Sequence, residues 1–98
     1  MTVSKKFMDQ YKGKPCVICS QPGGAHHILG RRVAPMLQEH PRNIMVLCGY
    51  HHTLSNDISA HGPHKAQREF DKYCKGLLGE NYKDDLRALD RSLRNGNN

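Results

Sequence analysis

Cys48–Asn56 reads CGYHHTLSN, with two adjacent histidines three and four residues after a cysteine. Neighbouring residues on a helix point roughly 100° apart, so His51 and His52 cannot easily serve one small site together. Either each has its own partners or one is surface filler. A second adjacent pair, His26 and His27 in GGAHHILG, repeats the problem upstream.

The cysteines separate the two histidines. Cys16-Val-Ile-Cys19 offers two thiolates at the spacing of a zinc knuckle, and Cys48-Gly-Tyr-His51 repeats that spacing with His as the last donor. Three Cys and one His make a closed tetrahedral zinc site, which contributes folding free energy to a small domain. The competing interpretations are a redox Cys-x-x-Cys and simple buried thiols, but nothing around Cys16 resembles a thioredoxin-like βαβ unit. Cys74 is left over and is expected to be a packed thiol near Phe70 and Tyr73. If His51 closes the knuckle, His52 is free to face elsewhere.

Composition agrees with a stapled fold. The chain has 98 residues, 37% of them hydrophobic, with four Tyr, two Phe and no Trp. That fits one domain whose core is thin without a metal or disulfide. The formal net charge is +6 and the pI is near 9.4, which suits a polyanion such as nucleic acid, or else a solvated basic surface. No apolar run is long enough to span a membrane, and MTVSKKFMDQYKGK lacks a signal-type apolar segment. A cytoplasmic protein is expected, where cysteines more often bind metal than form disulfides.

Along the chain, residues 1–14 form a basic arm carrying Lys5, Lys6, Lys12 and Lys14. Residues 15–62 hold the knuckle and a core in which AHHIL and NIMVLC are strands and residues 51–60 a short helix closed by His61-Gly62-Pro63. Residues 63–94 give two helices. Ala66, Phe70, Tyr73 and Leu77 form the apolar stripe of one, and Tyr82, Leu86, Leu89 and Leu93 that of the other. Residues 95–98 are a frayed tail. The fold class is α+β, in a single domain.

With the knuckle set aside, His26, His27, Asn43, His52 and Asn56 remain. On the expected helix, His52 and Asn56 are four apart and share a face. The stretches AHHIL, RNIMVLC and CGYHHTLSN, covering about residues 16–60, resemble the HNH nucleases, the ββα-metal group that includes colicin DNases and many phage endonucleases. The segment HKAQREFDKY is also similar to that of small phage proteins of this group. The resemblance implies His27 as general base, His26 and His52 as ligands of a catalytic metal, and Asn43 as the residue orienting the base. It puts Asn56 at the late ligand position, where the family has His more often. His51 likewise replaces the commoner Cys at the last knuckle position. His40, His61 and His64 receive no chemical role.

The residue types suit phosphodiester hydrolysis independently. A neutral imidazole can take a proton from water near neutral pH. A divalent ion held by two or three side chains keeps open positions for the phosphate and the departing oxygen. Imidazole and amide ligands admit Mg²⁺, Mn²⁺, Ni²⁺ or Zn²⁺, with His favouring the transition metals. The expected partner is double-stranded or branched DNA, with Arg31 and Arg32 beside the first strand and the arm lysines on its backbone. There is little surface for base-specific contact, and no small-molecule substrate is implied. The C-terminal helices can support a homodimer, and a phage origin would place the protein in a bacterial host cell. A non-catalytic zinc-knuckle module that binds nucleic acid, or an adaptor, is the alternative from another class. A nuclease acting on RNA is a third.

Overall fold

A computed structural model of the chain describes residues 4–96, so the ends of the basic arm and of the C-terminal tail lie outside the described residues. The elements run α1 (Lys5–Asp9), β1 (Gly24–His27), β2 (Ile44–Leu47), α2 (His64–Leu78) and α3 (Tyr82–Arg94), with 3₁₀ turns at Pro35–Leu37 and Pro41–Asn43 and a π-turn at Tyr50–Leu54. The result is a small α+β fold around a two-stranded antiparallel sheet. Among the described residues, no helix is long and apolar enough to cross a membrane.

α1 begins at Ser4, whose side chain accepts the Phe7 N–H at 3.0 Å and so satisfies one of the amides left open at a helix start. Between α1 and β1 the chain doubles back. Pro15 bridges Pro22, and Cys16 N donates to Gln21 O at 2.8 Å. This loop is tied to the sheet by Val17 N, which donates to Val46 O at 3.0 Å. Gly23 must lack a side chain, because a Cβ there would lie 2.5 Å from Leu47 O.

In the sheet, Gly24 pairs with Leu47, Ala25 with Val46, His26 with Met45 and His27 with Ile44. Alternation follows from the strand period of two: His26 and Met45 are buried, and His27 and Ile44 are half-buried. Pairing continues one step further, with Ile28 N donating to Asn43 O at 2.8 Å. The first strand is therefore shorter than AHHIL suggested. Ile28 and Leu29 instead turn into the core.

That core has two parts. Met45, Leu47 and Cys48 meet Cys16, Phe70, Cys74 and Tyr82 under the sheet. Leu29, Ala34, Leu37 and Leu86 form a second cluster beneath the loop between the strands. Leu37 has no exposed surface, and truncating such a side chain to Ala costs about 2–5 kcal/mol.

Two expected features are corrected. α2 faces the core with Ala66, Phe70 and Cys74, while Leu77 is 52% exposed. The stripe runs at strict i, i+4 spacing, and Tyr73 sits at its edge with its hydroxyl donating to Val17 O. The helix expected over residues 51–60 ends at Leu54. Ser55 is extended, at φ −64° and ψ 132°, and Asn56 follows in an exposed bend. His52 and Asn56 therefore do not share a helical face.

Candidate functional site

Cys16, Cys19, Cys48 and His51 converge so that their donor atoms all lie within 4.8 Å of one another. Cys48 Sγ is 3.4 Å from His51 Nδ1, Cys16 Sγ is 3.9 Å from the same nitrogen, and Cys19 Sγ is 3.6 Å from Cys48 Sγ. Tetrahedral edges around an ion with bonds of about 2.0–2.3 Å span roughly 3.4–3.8 Å, so the donors stand at metal-site separations. They are too far apart for a disulfide, and all four cysteines are free. This Cys₃His cluster can hold a structural metal such as zinc.

The thiols are electrostatically uneven. Burial pushes Cys16 up, but backbone donors from Cys48, Ile18 and Cys19 outweigh it, and its pKa is lowered. At Cys19, a backbone donor from Gln21 acts downward, yet burial and the neighbouring Cys48 and Cys16 leave the pKa raised. Of the two, Cys16 is the thiol that more readily gives up its proton.

Past the knuckle, His51 and His52 part company. His51 turns to the cysteines, and His52 turns to His26 and to His61, which sequence reasoning passed over. The three imidazoles also bring their donor atoms within 4.8 Å of one another. Ring centroids are 5.1 Å apart for His26 and His52, 5.3 Å for His26 and His61, and 4.9 Å for His52 and His61. Among the described residues, no fourth His, Cys, Asp or Glu joins this group. An ion held there would keep coordination positions open, in contrast to the closed knuckle.

His61 reaches the group through backbone pairing. Ala60 N donates to His51 O at 3.0 Å and His61 N to His52 O at 2.8 Å, folding residues 55–61 back over the π-turn. Two buried serines hold that fold. Ser55 Oγ accepts from Asp57 N and Ile58 N, each at 3.1 Å, and Ser59 Oγ donates to Ser55 O at 2.8 Å. Gly62 packs against them so closely that a Cβ would come 2.1 Å from Ser59 Oγ. The one hint in the sequence was His61 standing directly before Gly62-Pro63.

The trio lines a cleft of about 470 Å³ that also takes in His27, Gln67, Asp71 and Lys83. His26 is buried against Phe70, at a ring distance of 5.9 Å. That burial, with His52, His61 and His27 nearby, lowers its pKa to about 4. His52 is lowered too, by burial and then by His61. Two of the three rings thus resist protonation and keep their lone pairs at neutral pH.

His27 is placed differently. Its Nε2 lies 2.8 Å from Gln38 O. A carbonyl can only accept, so Nε2 carries a proton, and in the neutral ring Nδ1 is then the nitrogen with the lone pair. Asn43 sits behind it with no exposed surface. Its Oδ1 accepts Leu29 N at 2.8 Å, and its Nδ2 donates to Leu29 O at 2.9 Å and Leu37 O at 3.2 Å. Three bonds of that amide go into fixing the backbone at Leu29 and Leu37, downstream of His27.

The remaining predicted residues are at the surface. Lys5, Lys6, Lys12 and Lys14 are exposed, Lys5 pairs with Asp9 at 3.2 Å, and α1 lies against β1. Arg31 and Arg32 are exposed and directly follow Gly30, which lines the cleft. Asn56 is exposed, and the third imidazole in the cluster comes from His61. Cys74 is a buried thiol raised to about 11 by burial, beside Tyr82. Comparison of the chain with known protein families, with curated proteins and with solved structures gives no match.

Proposed function

We propose that the chain is a metal-dependent DNA endonuclease of the HNH type, with His27 as general base and His26, His52 and His61 as ligands of a divalent ion. The observation carrying this reading is the single cleft lined by three clustered imidazoles and a fourth, His27, whose proton is committed to a backbone carbonyl. Three neutral nitrogen donors suit a transition ion such as Zn²⁺, Ni²⁺ or Mn²⁺ better than Mg²⁺. Such an ion would supply positive charge to the scissile phosphate and to the departing 3′ oxygen.

The chain's own groups do the rest. His27 Nδ1 takes a proton from the attacking water, and the Nε2–H bond to Gln38 stabilises the ring as it becomes cationic. Asn43 holds the backbone that carries this pair, so the base does not have to be ordered at the moment of reaction. The new P–O bond forms as the bond to the 3′ oxygen breaks, leaving a 5′ phosphate and a 3′ hydroxyl once that oxygen is protonated. Zinc in the Cys₃His cluster would fasten the start of the π-turn that carries His52. The formal charge of +6 supports a polyanionic substrate, with Arg31 and Arg32 next to the cleft.

The test is nicking of supercoiled plasmid and of branched DNA with Mn²⁺, Ni²⁺, Zn²⁺ or Mg²⁺, beside a His27→Ala variant that keeps its fold and knuckle zinc. Cutting by the wild type alone is the expected result. Equal cutting by both removes His27 as base. If neither cuts but both bind DNA, the protein is a binding module.

A further inference from the structure

Asp90 lies in the middle of α3 and is 1% exposed, an unusual place for a carboxylate. One oxygen, Oδ1, accepts the backbone N–H of Met36 at 2.8 Å, and Oδ2 pairs with Arg94 one turn on. A buried carboxylate is retained only where its lone pairs are used. Here the bond ties α3 to the 3₁₀ turn Pro35–Leu37.

That turn delivers two carbonyls to the site. Leu37 O accepts from Asn43 Nδ2, and Gln38 O, the next residue, accepts from His27 Nε2. The turn is otherwise held by Leu37 packing against Leu86, by Gln38 Nε2 bonding Pro35 O at 3.1 Å, and by its short backbone bonds. Apolar packing fixes how deep the turn sits, but it is non-directional and sets no rotation of the carbonyls. The directional bond to Asp90 Oδ1 does set it, because it fixes one amide plane within two residues of Gln38 O.

We infer that Asp90 is a positioning residue: by holding Met36 N–H it aims Gln38 O at His27 and thereby fixes which ring nitrogen of His27 is free to accept a proton. α3 is then part of the cleft's working apparatus as well as packing. The inference rests on the assignment of His27 as the base, but it has a readout that needs no catalysis.

The experiment compares Asp90→Asn, Asp90→Glu and Asp90→Ala with the wild type, each loaded with knuckle zinc. The tautomer of His27 is read from ring ¹⁵N chemical shifts, and plasmid nicking is followed in parallel. Asn keeps an acceptor oxygen in the same place without the charge, whereas Glu keeps the charge and moves the oxygen by one methylene. The wild type and Asp90→Asn should show His27 only as the Nε2–H form. Glu and Ala should show mixed tautomers, with kcat down roughly ten- to a hundredfold from a misplacement of the order of 1 Å. KM should stay within about twofold, since no substrate group is touched.

If Asp90→Asn disturbs the tautomer as much as Asp90→Glu, charge and not position is what matters, and the inference is overturned. A folded Asp90→Ala with the pure Nε2–H form and wild-type kcat overturns it as well. If Ala does not fold, the Asn and Glu pair decides. If the wild type cuts nothing, the nuclease reading falls, and the tautomer ratios still judge Asp90 by themselves.

Discussion

Two clusters of side chains that could hold a metal meet at the adjacent His51 and His52 and differ in almost everything else. The Cys₃His cluster is assembled from two short local pairs, each with its donors three residues apart. It uses four donors and leaves no position open. The histidine cluster takes one donor each from β1, the π-turn and the loop before α2, stops at three, and opens onto a cleft. A closed site can only be structural, while an open one has room for a ligand. The adjacent His51 and His52 allow one π-turn to serve both.

The sharpest way to break this contrast is at Cys16. Cys16→Ser removes the thiol whose pKa is lowered and one of four donors. We expect zinc content and thermal stability to fall together, by about 5 kcal/mol or more, because metal binding free energy in a small domain is folding free energy. Unchanged zinc stoichiometry by metal analysis would eliminate the closed site.

His61→Ala should do the opposite. Exposed and carried on a loop, it costs little stability, but it removes one of three imidazoles. Affinity for Ni²⁺ or Zn²⁺ at the second site, titrated by calorimetry on knuckle-loaded protein, should drop at least tenfold to a hundredfold, the range seen even for outer-sphere losses. Asn56→Ala is the comparison. Should it weaken the metal as much as His61→Ala, the trio is not the binding group.

The two clusters were also unequally legible in the sequence. The knuckle could be read because Cys-x-x-Cys and Cys-x-x-His are local patterns that survive any uncertainty about tertiary structure. His26, His27, Asn43 and His52 were named from an ordered pattern, and the structure puts the three histidines around one cleft with Asn43 clamped behind them. His61 was missed because its arrival depends on amides of residues 60 and 61 finding carbonyls of 51 and 52, and on Ser55 and Ser59 being buried. Serine is ordinarily a surface or capping residue, so its spacing announces nothing. Asp90 was hidden in the same way, inside a helical stripe read only for Tyr82 and its leucines.

That loop gives a third handle. Gly62→Ala would drive a methyl into Ser59 Oγ and to 2.8 Å from Ser55 O. Shifting the serine pair should cost toward the upper end of about 1–3 kcal/mol. Because the same residues deliver His61, second-site metal affinity should fall in the same variant while knuckle zinc stays at one per chain. Loss of zinc from the knuckle instead would show that the two sites are not separable through this loop.

The smallest effect separates the sites by pH. In the unfolded chain the His26 imidazole titrates near 6.5, and in the fold, burial first and then His52, His61 and His27 lower it to about 4. Between those values the unfolded chain binds a proton that the folded chain does not, so stability rises with pH across that window. The contribution is complete above pH 6.5 and is lost as the pH falls toward 4, amounting to at most about 2 kcal/mol at pH 5. Acid also loosens metal from a Cys₃His site, so the measurement must be a difference. Urea unfolding of knuckle-loaded protein without second-site metal, at pH 7.5 and pH 5, should show a larger loss for the wild type than for His26→Phe, which keeps a buried ring with nothing to titrate. Equal losses would mean that His26 is as readily protonated in the fold as in water, and that the cleft does not hold its imidazole ready as a neutral donor.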